Sequence, residues 1–196
     1  MVDPYAIVND SRKFWEIPPK PVFHHLISLL TSQEVKFSIG RKIRHSLYAI
    51  SSAVGCNGVI TPELILSLTD QQLSSTGLSP QRCITAKELA RFSYEVKTID
   101  DYAKINGVGQ WTIKGLKILF NLDSRIILYE DKWIRKRLAE LHQLPPRTVL
   151  TPIQAKDLFK PWEGYETLMS YFLWRIKPTG INRIIQRQPL TRDDFV

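Results

Sequence analysis

The sequence predicts an all-α protein on three observations. Apolar residues recur every three to four positions, as in Val35, Ile39, Ile43, Leu47 and Ile50, which share one helical face. Three hydroxyl–proline pairs, Thr61-Pro62, Ser79-Pro80 and Thr151-Pro152, each give a side-chain cap followed by a residue whose φ suits the first helical turn. No apolar–polar alternation persists over five positions, so no strand is expected.

Residues 1–19 read as an N-terminal arm ending at Pro18-Pro19, with Phe14 and Trp15 as its anchors. Residues 21–53 read as two helices around a break at Leu30-Thr31-Ser32-Gln33-Glu34. The second carries Lys36, Arg41, Lys42, Arg44 and His45 opposite its apolar face, either as a solvated surface or as one facing phosphates. Residues 54–60 form a loop, and the helices opened by Thr61 and Ser79 follow. Thr98, Asp100 and Asp101 start a short helix, since acidic groups favour a first turn. The run Trp111–Phe120 is a further helix, ended by Asn121. Beyond Asp131 a helix runs towards Pro145-Pro146, Thr151 opens another, and residues 160–176 form the last. Residues 177–196 are polar and basic and read as a tail, leaving 20–176 as the folded domain.

The formal charge of +8 favours a polyanionic partner. Two cysteines, Cys56 and Cys83, cannot make a four-cysteine metal or iron–sulfur site and read as thiols of an intracellular protein. No apolar run reaches 18 residues and no signal-peptide pattern occurs, so neither a membrane partner nor export is expected.

The chemistry concentrates in residues 105–131. Gly107 and Gly109 flank Val108 just before the helix that begins near Trp111. Glycines there allow a tight turn with positive φ and close approach of a ligand. The N–H groups at the helix start form an anion site that a DNA phosphate fits. Asp131 follows 22 positions after Gly109, within a basic, aromatic segment of Lys132, Trp133, Arg135, Lys136 and Arg137. By residue type alone Asp131 is a good N-cap for the helix starting at Lys132.

The hairpin Ile105-Asn106-Gly107-Val108-Gly109-Gln110-Trp111-Thr112, the downstream Asp131 and the later Pro161-Trp162-Glu163-Gly164-Tyr165 together resemble the signature of the helix-hairpin-helix DNA glycosylase superfamily, and most nearly its 3-methyladenine DNA glycosylase II branch. The resemblance implies the helix-hairpin-helix fold of two helical lobes with the active-site cleft between them, and no extra N-terminal β domain. It implies a monofunctional enzyme of base excision repair. That enzyme flips out a damaged, above all alkylated, purine and hydrolyses its N-glycosidic bond to leave an abasic site. Asp131 is then the catalytic carboxylate, stabilising positive charge on the sugar and orienting or deprotonating water. Trp111 stands where glycosylase–lyases carry an imine-forming lysine. An indole cannot form an imine, but it can stack on a cationic base.

The same resemblance puts Trp111, Tyr171 and Glu34 at the base pocket. Gln33, Gly107, Gly109, Thr112, Lys114, Lys132 and Arg135 fall at the DNA, with Gln33 and Glu34 in the turn that reaches into the duplex. Backbone carbonyls of Ala103, Ile105 and Val108 would hold a sodium or potassium ion, and no cofactor or iron–sulfur cluster is required. The implied partner is double-stranded DNA with a damaged base, bound by a monomer located with the DNA. Glu130 adds a second acid beside Asp131. Two rivals stay open: a glycosylase for another lesion (uracil or thymine mismatch, hypoxanthine, oxidised guanine), and a non-catalytic module that keeps the hairpin for docking.

Overall fold

Hydroxyl caps start the helices where the sequence places them. In the computed structural model, which describes residues 20–120, 122–123 and 125–195, Thr61, Ser79 and Thr151 each accept a hydrogen bond from the backbone N–H three residues on, at 3.2, 3.4 and 3.2 Å. The expected arm, residues 1–19 with Phe14 and Trp15, lies outside the described residues.

The chain divides into two compact units between Leu116 and Lys117. In the first, α1 spans Val22–Leu30, α2 Phe37–Ala53, α3 Pro62–Ser67, α4 Asp70–Ser75 and α5 Pro80–Phe92. A 3-10 turn, Ile99–Lys104, follows, and then α6, Gln110–Leu119, which runs through the division point. Helix α5 is the hub against which α1, α3 and α4 pack. Its residues Ala86, Leu89 and Ala90 are fully enclosed with Leu26, Ile27, Leu47 and Ile65. At about 25 cal/mol per Å² of apolar surface removed from water, each such leucine or isoleucine contributes on the order of 2 kcal/mol.

Helix α2 starts at Phe37 and not at the break, because Glu34 takes a left-handed φ of 51° and ends the preceding turn. Its buried positions are Gly40, Ile43, Leu47 and Ser51, while Ile39, expected on the inner face, is 47% exposed. Gly40 explains the rotation. A Cβ there would lie 2.9 Å from the Thr31 carbonyl oxygen, so the helix presents its glycine to the turn. Helix α4 was not foreseen, although Thr69 and Gln72 form a capping box readable in the sequence.

In the second unit α7 spans Lys132–Leu141, α8 Pro152–Phe159, α9 Glu166–Arg175 and α10 Pro178–Ile185. Helix α7 is the hub, packed against α8, α9 and α10. Arg137, 1% exposed, donates through Nε to the Ile176 carbonyl at 3.0 Å and pairs with Glu140. Its guanidinium lies 4.1 Å from the Trp133 ring centroid. Residues 177–195, expected as a tail, are folded. Lys177 N–H donates to the Asp194 carbonyl at 2.7 Å, Ile176 bridges Phe195, and the buried Asp194 carboxylate accepts from Thr191 N–H at 2.8 Å. Their polar residues are used as internal ties, which apolar periodicity does not detect. No helix among the described residues is long and apolar enough to cross a membrane.

Candidate functional site

The glycine bend belongs to the first unit. Gly107 has φ +90°, and a Cβ on it would meet Thr85 Oγ1 at 2.7 Å, so conformation and space both require glycine. Gly109 departs from the expectation of positive φ. A Cβ there would meet nothing within 4 Å, so its backbone faces open space. Its carbonyl accepts from Thr112 and Ile113 N–H at 3.0 and 3.3 Å and so begins α6. The bend closes with Val108 N–H on the Ile105 carbonyl at 3.1 Å. Of the three carbonyl residues expected to hold a cation, the exposed Ala103 belongs to the 3-10 turn Ile99–Lys104, while Ile105 and the buried Val108 are the two ends of the bend.

Several predicted residues meet here. The Gln33 side-chain amide donates to the Gly107 carbonyl at 3.1 Å and to Thr112 Oγ1 at 2.8 Å. Thr112 is 1% exposed, and its hydroxyl faces Gln33 inside the unit. It braces the bend from within, so its side chain is not open to the DNA contact that the resemblance implies. Glu34 is exposed at the tip of the turn, while Trp111 and Lys114 are half-buried on α6. Two surface grooves of about 470 and 370 Å³ flank α5, and Ile105 is the predicted site residue among those that line them.

Asp131 belongs to the second unit. The segment before it is docked on α9: Ile126 N–H donates to Thr167 Oγ1 at 2.8 Å, Ser170 Oγ donates to the Ile126 carbonyl at 3.1 Å, and Leu128 is fully buried. Asp131 N–H then donates to the Leu128 carbonyl at 2.9 Å. The half-buried carboxylate accepts through Oδ1 from Trp133 N–H at 2.8 Å and Ile134 N–H at 3.0 Å. Cap and presented acid are one arrangement, because the helix start fixes the carboxylate's orientation. Lys132 and Glu130 beside it are exposed. Arg135 turns inward and donates to the Leu150 carbonyl at 2.7 Å, so its fork is partly committed to the protein instead of being free for DNA as expected. Tyr171 is 4% exposed in the core of this unit and accepts from Arg175 Nη1 at 2.5 Å.

Sequence reasoning missed Arg82, whose guanidinium donates to the Gln33 carbonyl. Arg44, expected on a solvated or phosphate-facing surface, instead donates through Nη1 to Ser32 Oγ at 2.6 Å. Burial lowers the proton affinity of Arg44. His24 is a buried residue of α1. Its Nδ1 accepts Ile60 N–H at 3.0 Å, and burial, with Lys20 and His25 nearby, lowers its pKa to about 4. A neutral ring is what this hydrogen bond requires.

No protein-family model matches the sequence, and no curated protein sequence matches it. Solved structures do. The 3-methyladenine DNA glycosylase of Schizosaccharomyces pombe, solved with abasic DNA, matches with a TM-score of 0.69 at 22% identity over 87% of this chain and 88% of that one. The 3-methyladenine DNA glycosylase of Archaeoglobus fulgidus matches at 0.60 and 16% identity over 78% of this chain and 57% of that one. The DNA-3-methyladenine glycosidase of Bacillus halodurans matches at 0.58 and 15% identity over 94% of this chain and 88% of that one. The chain therefore has the all-α helix-hairpin-helix glycosylase fold.

Proposed function

We propose that this chain is a monofunctional DNA glycosylase that removes a damaged, above all alkylated, purine. The observation that carries the reading is Asp131. Its carboxylate is held by two backbone N–H groups at the start of α7, in a fold shared with three 3-methyladenine glycosylases. The charge of +8 and the glycine bend supply attraction to a duplex and a phosphate grip.

The N-glycosidic bond lies inside the duplex, so the nucleotide must leave the stack first. As the bond breaks, its electron pair goes to the base nitrogen and neutralises the positive charge of an alkylated purine. The sugar is left with cationic character, which the Asp131 carboxylate stabilises. Water adds its oxygen to the sugar carbon, and Asp131 takes up the proton. Trp111, half-buried on α6, offers an aromatic face to a cationic base, worth roughly 0.5–2 kcal/mol. Tyr171, implied at the base pocket by the resemblance, is enclosed in its own unit with Arg175 over its ring and is not given that role. Lys114 and Lys132 serve phosphates and do not form an imine. No cofactor enters these steps. A sodium or potassium ion on the carbonyls of Ala103, Ile105 and Val108 would stiffen the bend, carbonyl oxygens being suitable donors for a hard cation. The enzyme acts as a monomer, located with the DNA.

Mass spectrometry of bases released from methylated, deaminated and oxidised DNA tests the reading. Release of alkylated purines, abolished in Asp131→Asn, is expected. Release only of uracil, hypoxanthine or oxidised guanine would change the substrate, and release of nothing would leave a binding module. Borohydride trapping of protein on DNA would overturn the monofunctional assignment.

A further inference from the structure

The two outer carbonyls of the bend are both capped by side chains from elsewhere in the first unit. Thr85 Oγ1 donates to the Asn106 carbonyl at 3.1 Å, and Gln33 Nε2 donates to the Gly107 carbonyl at 3.1 Å. The peptide between Gly107 and Val108 is thereby held at both ends, since Val108 N–H is on the Ile105 carbonyl. Gln33 is itself fixed. Its second donor hydrogen goes to Thr112 Oγ1, Arg82 holds its carbonyl, and Arg44 holds the neighbouring Ser32. A half-buried amide with both hydrogens committed and its backbone clamped is poorly placed to swing into a duplex.

The electrostatic consequence is specific. A carbonyl oxygen at the rim of a bend carries partial negative charge and opposes an approaching phosphate. A donor on that oxygen offsets the charge and locks the peptide plane. We propose that Gln33 is a positioning residue for phosphate binding: it caps the Gly107 carbonyl and does not enter the DNA. The inference rests on the reading that the bend grips a DNA phosphate. It moves Gln33 from the duplex-filling role implied by resemblance to a strap joining the 31–35 turn to the hairpin. Glu34 is then the exposed tip that the strap carries.

Two variants of near-native length test it. Gln33→Met removes the donor without charge, and Gln33→Glu replaces the donor by an acceptor. Their affinities are measured from pH 5 to 8 at fixed ionic strength, for an undamaged duplex and for the same duplex carrying a tetrahydrofuran abasic-site analogue. Thermal melts of both variants check folding. Gln33→Met is expected to weaken binding to both duplexes by the same factor, about 3- to 10-fold, the equivalent of one hydrogen bond. Gln33→Glu binds more weakly than Gln33→Met at pH 8 and approaches it at pH 5, where a protonated carboxyl regains a donor. A purely structural role gives no such pH-dependent gap. Weakening confined to the abasic duplex would mean that the side chain fills the gap in the stack, and would overturn the proposal. Unchanged affinity, or two variants that stay identical across pH, would overturn it as well. If the native protein binds neither duplex, the phosphate reading itself fails, a result distinct from all of these.

Discussion

Helices α6 and α7 begin in opposite ways. Helix α6 starts from Gly109, which contributes a carbonyl and no side chain, beside open space. Helix α7 starts from Asp131, whose carboxylate covers the N–H groups of Trp133 and Ile134. The first kind of start lays no capping side chain of its own over the helix's first turn, the form of helix start that suits an anion. The second spends its donors on holding its own acid in place. The first turn of a helix, which lacks intrahelical partners for its N–H groups, is thus left without a side-chain cap from Gly109 in one unit and holds a carboxylate in the other.

The sharpest way to break that contrast is at Asp131. Asparagine is an equally good N-cap, so Asp131→Asn should melt within a degree or two of the native protein. Base release should fall on the order of 10²–10⁴-fold. Asp131→Ala should lose the same activity and in addition about 1 kcal/mol of stability, read by denaturant titration. An Asn variant that keeps its activity would reduce Asp131 to a cap.

The next largest effect is acid sensitivity of the first unit. His24 has its folded pKa lowered to about 4 from 6.5, because burial disfavours the charged ring. The unfolded chain therefore binds the proton more readily. Stability is fully present above pH 6.5 and is lost as pH falls through the window from 6.5 to 4, by at most about 3.5 kcal/mol at about 1.4 kcal/mol per unit. His25, also lowered by burial, acts in the same direction. Hydrogen exchange at pH 7 and pH 4.5 should show α1 losing protection, and His24→Asn should flatten the response.

Smaller again are the two glycines, which should separate. Gly107→Ala forces a side chain into positive φ against Thr85 and should cost about 1–3 kcal/mol of stability. Gly109→Ala meets no protein atom, so its melting temperature should barely move while duplex affinity falls. Equal destabilisation by both would mean that the space beside Gly109 is not reserved for a ligand.

Local chemistry was legible in the sequence, and contacts between distant residues were not. The three hydroxyl–proline starts and the Asp131 cap are decided within four residues, and all four form. The inner face of α2 was misjudged by its apolar residues because its closest approach to the turn is made by a glycine, which carries no hydrophobic signal. The grip of Gln33 on the hairpin spans 74 and 79 residues. The resemblance implied a DNA contact for Gln33, and only the folded chain identifies its protein partners. The ties of Asp194 were invisible for a related reason: charged residues near a chain end read as solvated until a partner such as Thr191 is found.

The guanidinium of Arg137 over the Trp133 indole has a spectroscopic consequence. Any loosening of the Ile176 anchor would withdraw that cation from the ring and alter its electronic environment. In protein grown on fluorinated tryptophan, the fluorine resonance that vanishes in Trp133→Phe would then serve as a gauge for the second unit, reporting at a single atom whether its last helix is still fastened.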